Sequence, residues 1–386
     1  MKNILYINNV YPIFEKGDSG ASNRSTMFIT ALASIAYVDV ISFVGEQVST
    51  IDNCRIVYNE DCPMVRTRSR IDKIRKILTP WNIYSIFPLN SVKADIIDNF
   101  IKSHHYDYIA IRYINEVSEC GLWKYADKLI LDIDDNPFNA LKNSAKHSKT
   151  IRNKIYSYIF AFLAKNAINH NIKKVKFTFY SNPNELPSDK SVYLHNVAMC
   201  DTIVSDITEE TPIQILLIGT YHYAPNKEGL IHFLTHIYPK IRTAIPNVNL
   251  HVIGKIYDNE LKKQLEKEPN LTLMGYVNNL ASEYEQARLS IVPLYSGSGT
   301  SIKLIESMSM NRTCVATSVG VRGMENILNM NEDFLLAEND EQFADQIINS
   351  ICDISLLNKI SHNAKRKVNL YLSKTKFIEI IQKTIL

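Results

Sequence analysis

Short apolar runs alternate along this chain with longer segments whose apolar positions recur every three or four residues. Asn3–Asn8 (NILYIN), Val38–Val44 (VDVISFV), Tyr106–Arg112 (YDYIAIR) and Lys128–Ile133 (KLILDI) read as strands buried on both faces, and Ser25–Ala36 as a helix. The scheme is plainer in the second half. Ile213–Ile218 (IQILLI) ends at Gly219, Asn249–Ile253 (NLHVI) at Gly254, and Leu271–Met274 at Gly275. Amphipathic segments at Lys227–Ala244, Asp258–Glu266 and Ala281–Ala287 separate those strands from Leu289–Pro293. A helix from about Thr300, a strand at Cys314–Thr317 and closing helices follow. Strands alternating with helices predict parallel sheets covered on both faces, with ligands beyond the carboxyl ends of the strands.

Length changes that picture from one sheet to two. A chain of 386 residues exceeds one ordinary core, and the polar stretch Asp201–Thr211 is the expected boundary. The expected domains are 1–200 on the acceptor side, 201–370 for nucleotide-sugar binding, and a helix at 371–386 that packs back on the first. A hydrophobic share of 46% and a charged share of 22% exclude a disordered chain. The six cysteines contain no C-x-x-C pair, which reads as reduced thiols and not as a disulfide framework or zinc site. The opening apolar run stops at Asn8-Asn9, too early for a signal peptide's core, and no stretch approaches the length of a membrane span. We therefore expect a cytoplasmic protein whose membrane contact, where there is one, is peripheral on the inner face.

Charge is unevenly spread. Residues 1–200 hold 25 Lys+Arg against 19 Asp+Glu, and no acidic residue lies between Asp135 and Glu185. That acid-free span carries nine cations, among them Lys142, Lys146, Lys149 and Arg152, around the apolar patch Ile155–Leu163; a second basic cluster runs Arg66–Lys76. A core helix with a solvated basic face explains the span, with its aromatics buried and its lysines outward. So does a surface for anionic lipid headgroups or a diphosphate-linked acceptor. No nucleic-acid-binding motif accompanies the basic stretches.

The chemistry concentrates in Leu289–Gly323 (LSIVPLYSGSGTSIKLIESMSMNRTCVATSVGVRG). A strand runs into a loop containing Gly297 and Gly299, which opens a helix. Such glycines let backbone approach a ligand, and the helix start offers unpaired amides to an anion. Lys303 falls in the first turn, where the helix dipole disfavours a cation, and a bound phosphate resolves the conflict. Glu306, three residues on, shares that helix face, and its carboxylate can accept hydrogen bonds from ribose hydroxyls. Taken alone, a glycine turn with a surface Lys–Glu pair accounts for the loop equally well.

With its upstream flank, Ile215–Gly254 and LTLMGYVNNLASEYEQARLSIVPL, this segment resembles the C-terminal domain of family 4 retaining glycosyltransferases of the group 1 type. The resemblance implies a GT-B fold: two doubly wound Rossmann-like α/β domains facing across a cleft. It also implies a nucleotide diphosphate sugar donor, no cofactor and no required metal. Glu306 matches the second glutamate of the family's Glu-x7-Glu signature and is expected to bind ribose. Ser298 stands where the first belongs, so the loop backbone at Ser298, Gly299, Thr300 and Ser301, with Lys303, takes on more of the donor. Lys227, in PNKEG, matches the lysine that meets the diphosphate. Tyr276 and Val277 sit where backbone meets the base, although Tyr276 also reads as a half-buried packing residue.

The N-terminal resemblance is looser. YPIFEKGDSGASNRS is similar to the family's glycine-containing loop, with Gly17 and Gly20 against diphosphate and acceptor and Arg24 supplying charge. In LDIDDNPF, Asp132, Asp134 and Asp135 end a strand, and Asp134 stands where many relatives carry a histidine. Three acids there are costly unless they face cations, a ligand or water. A cleft position, with Asp134 orienting an acceptor hydroxyl, and a helix-capping turn from Asn136 both meet that condition; oxygen clustering also suits Mg²⁺. Asn196 matches the family's turn before the second domain and reads as structural or cleft-lining. The expected activity is hexosyl transfer with retention to a saccharide or lipid-linked saccharide in cell-surface polysaccharide assembly. A catalytically silent binding subunit is the alternative that the missing glutamate motivates.

Overall fold

The computed structural model describes residues 1–14, 20–45, 51–62, 83–134, 138, 150–185, 190–198, 202, 204–297 and 299–386. The expectations placed on Gly17, Asp135, Asn136, Ser298, the Arg66–Lys76 cluster and Lys142, Lys146 and Lys149 concern residues outside that set. The described chain divides into two compact units, Met1–His195 with Phe377–Leu386, and Asn196–Lys376.

The first unit is built on strands β1 (Lys2–Asn8), β2 (Ala36–Ser42), β3 (Cys54–Asn59), β4 (Tyr108–Arg112), β5 (Leu129–Ile133), β6 (Phe177–Tyr180) and β7 (Ser191–Tyr193). They form one parallel sheet in the order β3-β2-β1-β4-β5-β6-β7. Aliphatic residues dominate because both faces are covered: all five residues of β5 are buried, and Leu5, Ile7, Ile109, Ile111 and Leu131 share one core. Chain direction across the sheet reverses between β1 and β4, the place where such sheets open toward ligands.

Helix α1 (Gly20–Ala33) starts five residues before the sequence-predicted Ser25. Its first turns bury Ser22 and Arg24 through polar partners, which hydrophobic periodicity cannot register. Helix α2 is Ser91–Ser103, and helix α3 is Ile151–Ile172. In α3 the core side is made of Ala161, Ala164, Ala167 and Ile168, whereas Tyr156, Tyr158 and Phe162 are exposed. The reading with buried aromatics therefore fails for these three rings, which face outward, while Phe160 packs partly against the core beside the alanines.

The second unit contains β8 (Gln214–Ile218), β9 (Asn249–Ile253), β10 (Leu271–Gly275), β11 (Leu289–Val292), β12 (Thr313–Thr317) and β13 (Leu335–Ala337), all parallel in the order β10-β9-β8-β11-β12-β13. Its core joins Ile215, Leu217, Leu250, Val252, Ile291 and Val315 to Phe233 and Phe343. The single helix expected over Lys227–Ala244 is three pieces. Helix α4 (Ala224–His232) passes through a wide π-type turn, Phe233–Ile237, into Tyr238–Ala244. Pro239 explains the break, since it lacks an N–H and its ring crowds the carbonyl one turn back.

Around this sheet lie α5 (Asn259–Leu265), α6 (Leu280–Glu285), α7 (Ile302–Ser309), α8 (Asp340–Ser350) and α9 (Ile354–Tyr371). Helix α10 (Lys374–Ile385) carries the chain back to the first unit. There Phe377 is fully buried, edge-on to the His195 ring with centroids 5.8 Å apart, and Lys2 Nζ donates to the Ile385 carbonyl at 2.9 Å. Among the described residues no helix is long and apolar enough to cross a membrane.

Candidate active site

In the second unit the strand order turns between β8 and β11, and the segments leaving their carboxyl ends are those that the sequence marks as chemical. After β8 comes Gly219-Thr220 and then α4, which packs directly on the end of β11. A methyl group at Gly229 would lie 2.2 Å from the Pro293 carbonyl oxygen. After β11 comes the Gly297–Ser301 loop, with Gly297 at a φ of 125°, and then α7. The loop is tied down from behind. Asn196, buried, donates to Thr300 Oγ1 at 3.0 Å, and Arg322 donates to the Gly299 carbonyl at 3.3 Å.

The start of α7 is left without its usual partner. Ser301 occupies the N-cap position but makes no side-chain cap bond, and its buried Oγ has no hydrogen-bond partner. A serine there ordinarily accepts from an amide two or three residues on. Lys303 lies in the first turn and reaches across to α4, donating to Asn226 Oδ1 at 2.7 Å. Asn226 in turn donates to the Thr220 carbonyl at 3.0 Å. Burial lowers Lys303 to about 8, with Glu306 opposing the shift. One turn deeper, burial raises Glu306 to about 7, opposed by a bond from the Tyr284 hydroxyl at 3.3 Å and by Lys303. Both side chains are half-buried, so the pair is partly withdrawn from water without being sealed off.

The remaining positions of this unit divide. Lys227 pairs with Asp258 at 2.6 Å, and that aspartate caps α5 through the amides of Glu260 and Leu261. Tyr276 follows Gly275 at the end of β10 and is 47% exposed, so it is not a packing residue; Lys255 covers one face of its ring at 5.1 Å. Val277 is half-buried against the cluster around Tyr284. Arg322 escaped the sequence reading. Its Nε is buried without a hydrogen-bond partner beside the glycine loop, and only the flanking GVRG glycines hint at it.

In the first unit, Arg24, Arg112, Asp132 and Asp134 interlock at the carboxyl ends of β4 and β5. Asp132 is fully buried and accepts from Arg24 at 2.7 and 2.8 Å and from Arg112 at 2.9 Å. Burial alone would raise this carboxyl; the two guanidiniums outweigh it and hold Asp132 below the usual carboxylate range. Arg24 also donates to the Leu194 and His195 carbonyls, so its charge is engaged inside the unit. Arg112 reaches Ser25 Oγ at 2.7 Å and extends to Asp134 at 3.1 Å. Asp134 stays partly open, its side chain 17% exposed, while Gly20 begins α1 nearby in sequence to this network.

A second cluster lies at the β1/β4 turn of strand order. Lys93 Nζ, from α2, donates to Asn9 Oδ1 at 2.8 Å and to Glu119 at 2.6 Å, and Asn9 donates to Glu116. Burial raises Glu116 to about 7. A separate groove, lined by Asn3, Tyr37, Asp39 and Arg55, lies at the amino ends of the strands. Arg55 and Asp39 satisfy each other there at 2.6 Å.

Residues 212–353, which include every second-unit position named above except Asn196, match the family of group 1 glycosyl transferases. That stretch is similar to the group 1 glycosyl transferases. Over the longer chain, a Klebsiella pneumoniae relative described as an uncharacterized 44.6 kDa protein in cps region is 24% identical over 345 residues, 85% of each chain. Two solved structures are similar over nearly the whole length. WaaG, a glycosyltransferase involved in lipopolysaccharide biosynthesis, has a TM-score of 0.65 at 14% identity, covering 98% of this chain and 99% of its own. HepE from Anabaena, in complex with UDP and glucose, has a TM-score of 0.64 at 11% identity, covering 100% and 99%. The two parallel sheets with their helices are thus the GT-B glycosyltransferase fold.

Proposed function

We propose that this protein transfers a hexosyl group, with retention, from a nucleotide diphosphate sugar to a saccharide or lipid-linked saccharide. The observation that carries the reading is the start of α7: an uncapped helix end, an unpaired Ser301 Oγ and a cation held against the dipole. An anionic diphosphate would complement all three. Glu306, one turn deeper, would accept from the ribose hydroxyls, and Gly299, Thr300 and Ser301 would contribute backbone amides. Lys227 would turn from Asp258 toward the diphosphate, and Arg322 would supply a further positive charge. Tyr276 and Val277 would border the base.

In this scheme the bond between the sugar's anomeric carbon and the diphosphate oxygen breaks, and the acceptor oxygen bonds to the same face of that carbon. The acceptor's proton passes to the departing diphosphate. Donors aimed at the developing charge lower the barrier. Asp134 would orient the acceptor hydroxyl, with Arg112 fixing the carboxylate, and Gly20 would let backbone approach. Arg24 we assign to building that corner, since Asp132 and two carbonyls take up its donors. The reading needs no metal or cofactor. HepE's UDP and glucose support the donor class, and WaaG's part in lipopolysaccharide biosynthesis supports a cell-surface polysaccharide acceptor. A lipid-linked acceptor would bring the cytoplasmic protein to the inner face of the membrane.

A screen of UDP-, GDP-, ADP- and TDP-sugars, reading nucleotide release with and without saccharide acceptors, tests the proposal. Release that depends on Glu306 and Lys303 supports it. Tight nucleotide binding without turnover of any donor would favour a silent binding subunit, the reading that Ser298 at the glutamate position motivates.

A further inference from the structure

Helix α3 is apolar on two opposite sides. Ala161, Ala164 and Ile168, spaced three and four apart, form the side buried in the first unit. Ile151, Ile155, Tyr158 and Phe162 recur at the same helical spacing on the other side, where they are 80%, 55%, 38% and 63% exposed. Large side chains left in water along one stripe, while alanines make the core contact, mark a surface meant to be covered. The charges bordering the stripe are all of one sign. Arg152 flanks one edge and Lys154 and Lys165 the other, each exposed, and no acidic residue occurs from 136 to 184. A second copy of the chain would bring those cations together, so self-pairing is disfavoured. A plane of anionic headgroups over acyl chains complements both features at once. Cations meet phosphates, tyrosine sits at the boundary, and isoleucine and phenylalanine enter the apolar layer.

We propose that the outer face of α3 is the surface by which this protein docks on anionic lipid bilayers. The assignment rests on α3 alone and stands apart from the transfer chemistry. Full-length protein is sedimented with phosphatidylglycerol-containing vesicles and with pure phosphatidylcholine vesicles across a salt series. Binding is expected only with the anionic vesicles and declines as salt rises. The Ile155→Ser/Phe162→Ser variant should lower the vesicle partition coefficient at least about tenfold, with an unchanged melting temperature because both residues are exposed. The Arg152→Gln/Lys154→Gln/Lys165→Gln variant should lose the preference for anionic lipid. As a direct probe of insertion, Phe162→Trp should gain fluorescence quenched by brominated lipid. Equal binding to both vesicle types, no binding at low salt, or full binding by the serine variant would overturn the proposal. So would self-association that Phe162→Ser abolishes, which would make the stripe an interface between copies.

Discussion

Glu306 and Lys303 share one face of α7, and burial moves them toward each other, to about 7 and about 8. If the carboxylate accepts from ribose and the ammonium meets the diphosphate, donor capture is best between those values. Below about 7 Glu306 gains a proton and ceases to be a full acceptor; above about 8 Lys303 loses its charge. The pH profile of kcat/KM for the donor should therefore be a narrow bell, with the acid limb absent in Glu306→Gln. An acid limb that persists in that variant would assign it to another group. Glu306→Ala should weaken donor binding by about 1–3 kcal/mol, and Gln less. Titration with nucleoside and with nucleoside diphosphate separates the other roles. Lys303→Ala, Lys227→Ala and Arg322→Ala should each impair the diphosphate far more than the nucleoside, and equal losses would remove that cation from the phosphates. Residue chemistry was legible where it is local. Lys303 and Glu306 lie on one helix beside a glycine loop. Arg322 acts on a carbonyl 23 positions earlier, and Arg24 meets Asp132 across 108 positions, so no local pattern announces either.

At the scale of elements, the uncapped start of α7 is only as useful as the scaffold around it. Helix α4 supplies Asn226 to Lys303, and α4 can approach β11 because residue 229 has no side chain. Gly229→Ala should cost about 1–3 kcal/mol through overpacking and push α4, with Asn226, off the site. A lowered melting temperature together with weaker diphosphate binding is the expected pair of readouts; an unchanged melt would mean that the contact yields freely. Strands of five or more residues covered on both faces announced themselves as aliphatic runs, as in Gln214–Ile218. The three-residue strands β7 and β13 carry too few positions for a pattern, and β7 is only half-buried. Nor did apolar spacing reveal where α1 begins, because its first turns are held by hydrogen bonds from Arg24 to the Leu194 carbonyl and from Arg112 to the Ala21 carbonyl.

For the whole molecule, the return of α10 to the first unit has weight in the stability of that unit. Phe377 lies under the Arg24 guanidinium at 5.7 Å and against His195, and Gln382 donates to Ser34 at 3.2 Å. Phe377→Ala should destabilise the first unit by about 3–5 kcal/mol, read as earlier protease cleavage within residues 1–195 while the second unit resists longer. The same arrangement governs the order in which a growing chain can fold. On a ribosome the first unit emerges early, but the helix that covers Arg24 and His195 follows only after Asn196–Lys376 has been made. At about 5–20 residues per second, the first unit waits roughly 10–40 s with that face bare. When that interval ends the second unit is complete and can reach its native packing while the first still lacks its closing helix, so completion runs from the later-made half back to the earlier. Released chains truncated at Lys376 should accordingly carry a folded second unit and a first unit that proteases and hydrophobic-binding chaperones still recognise.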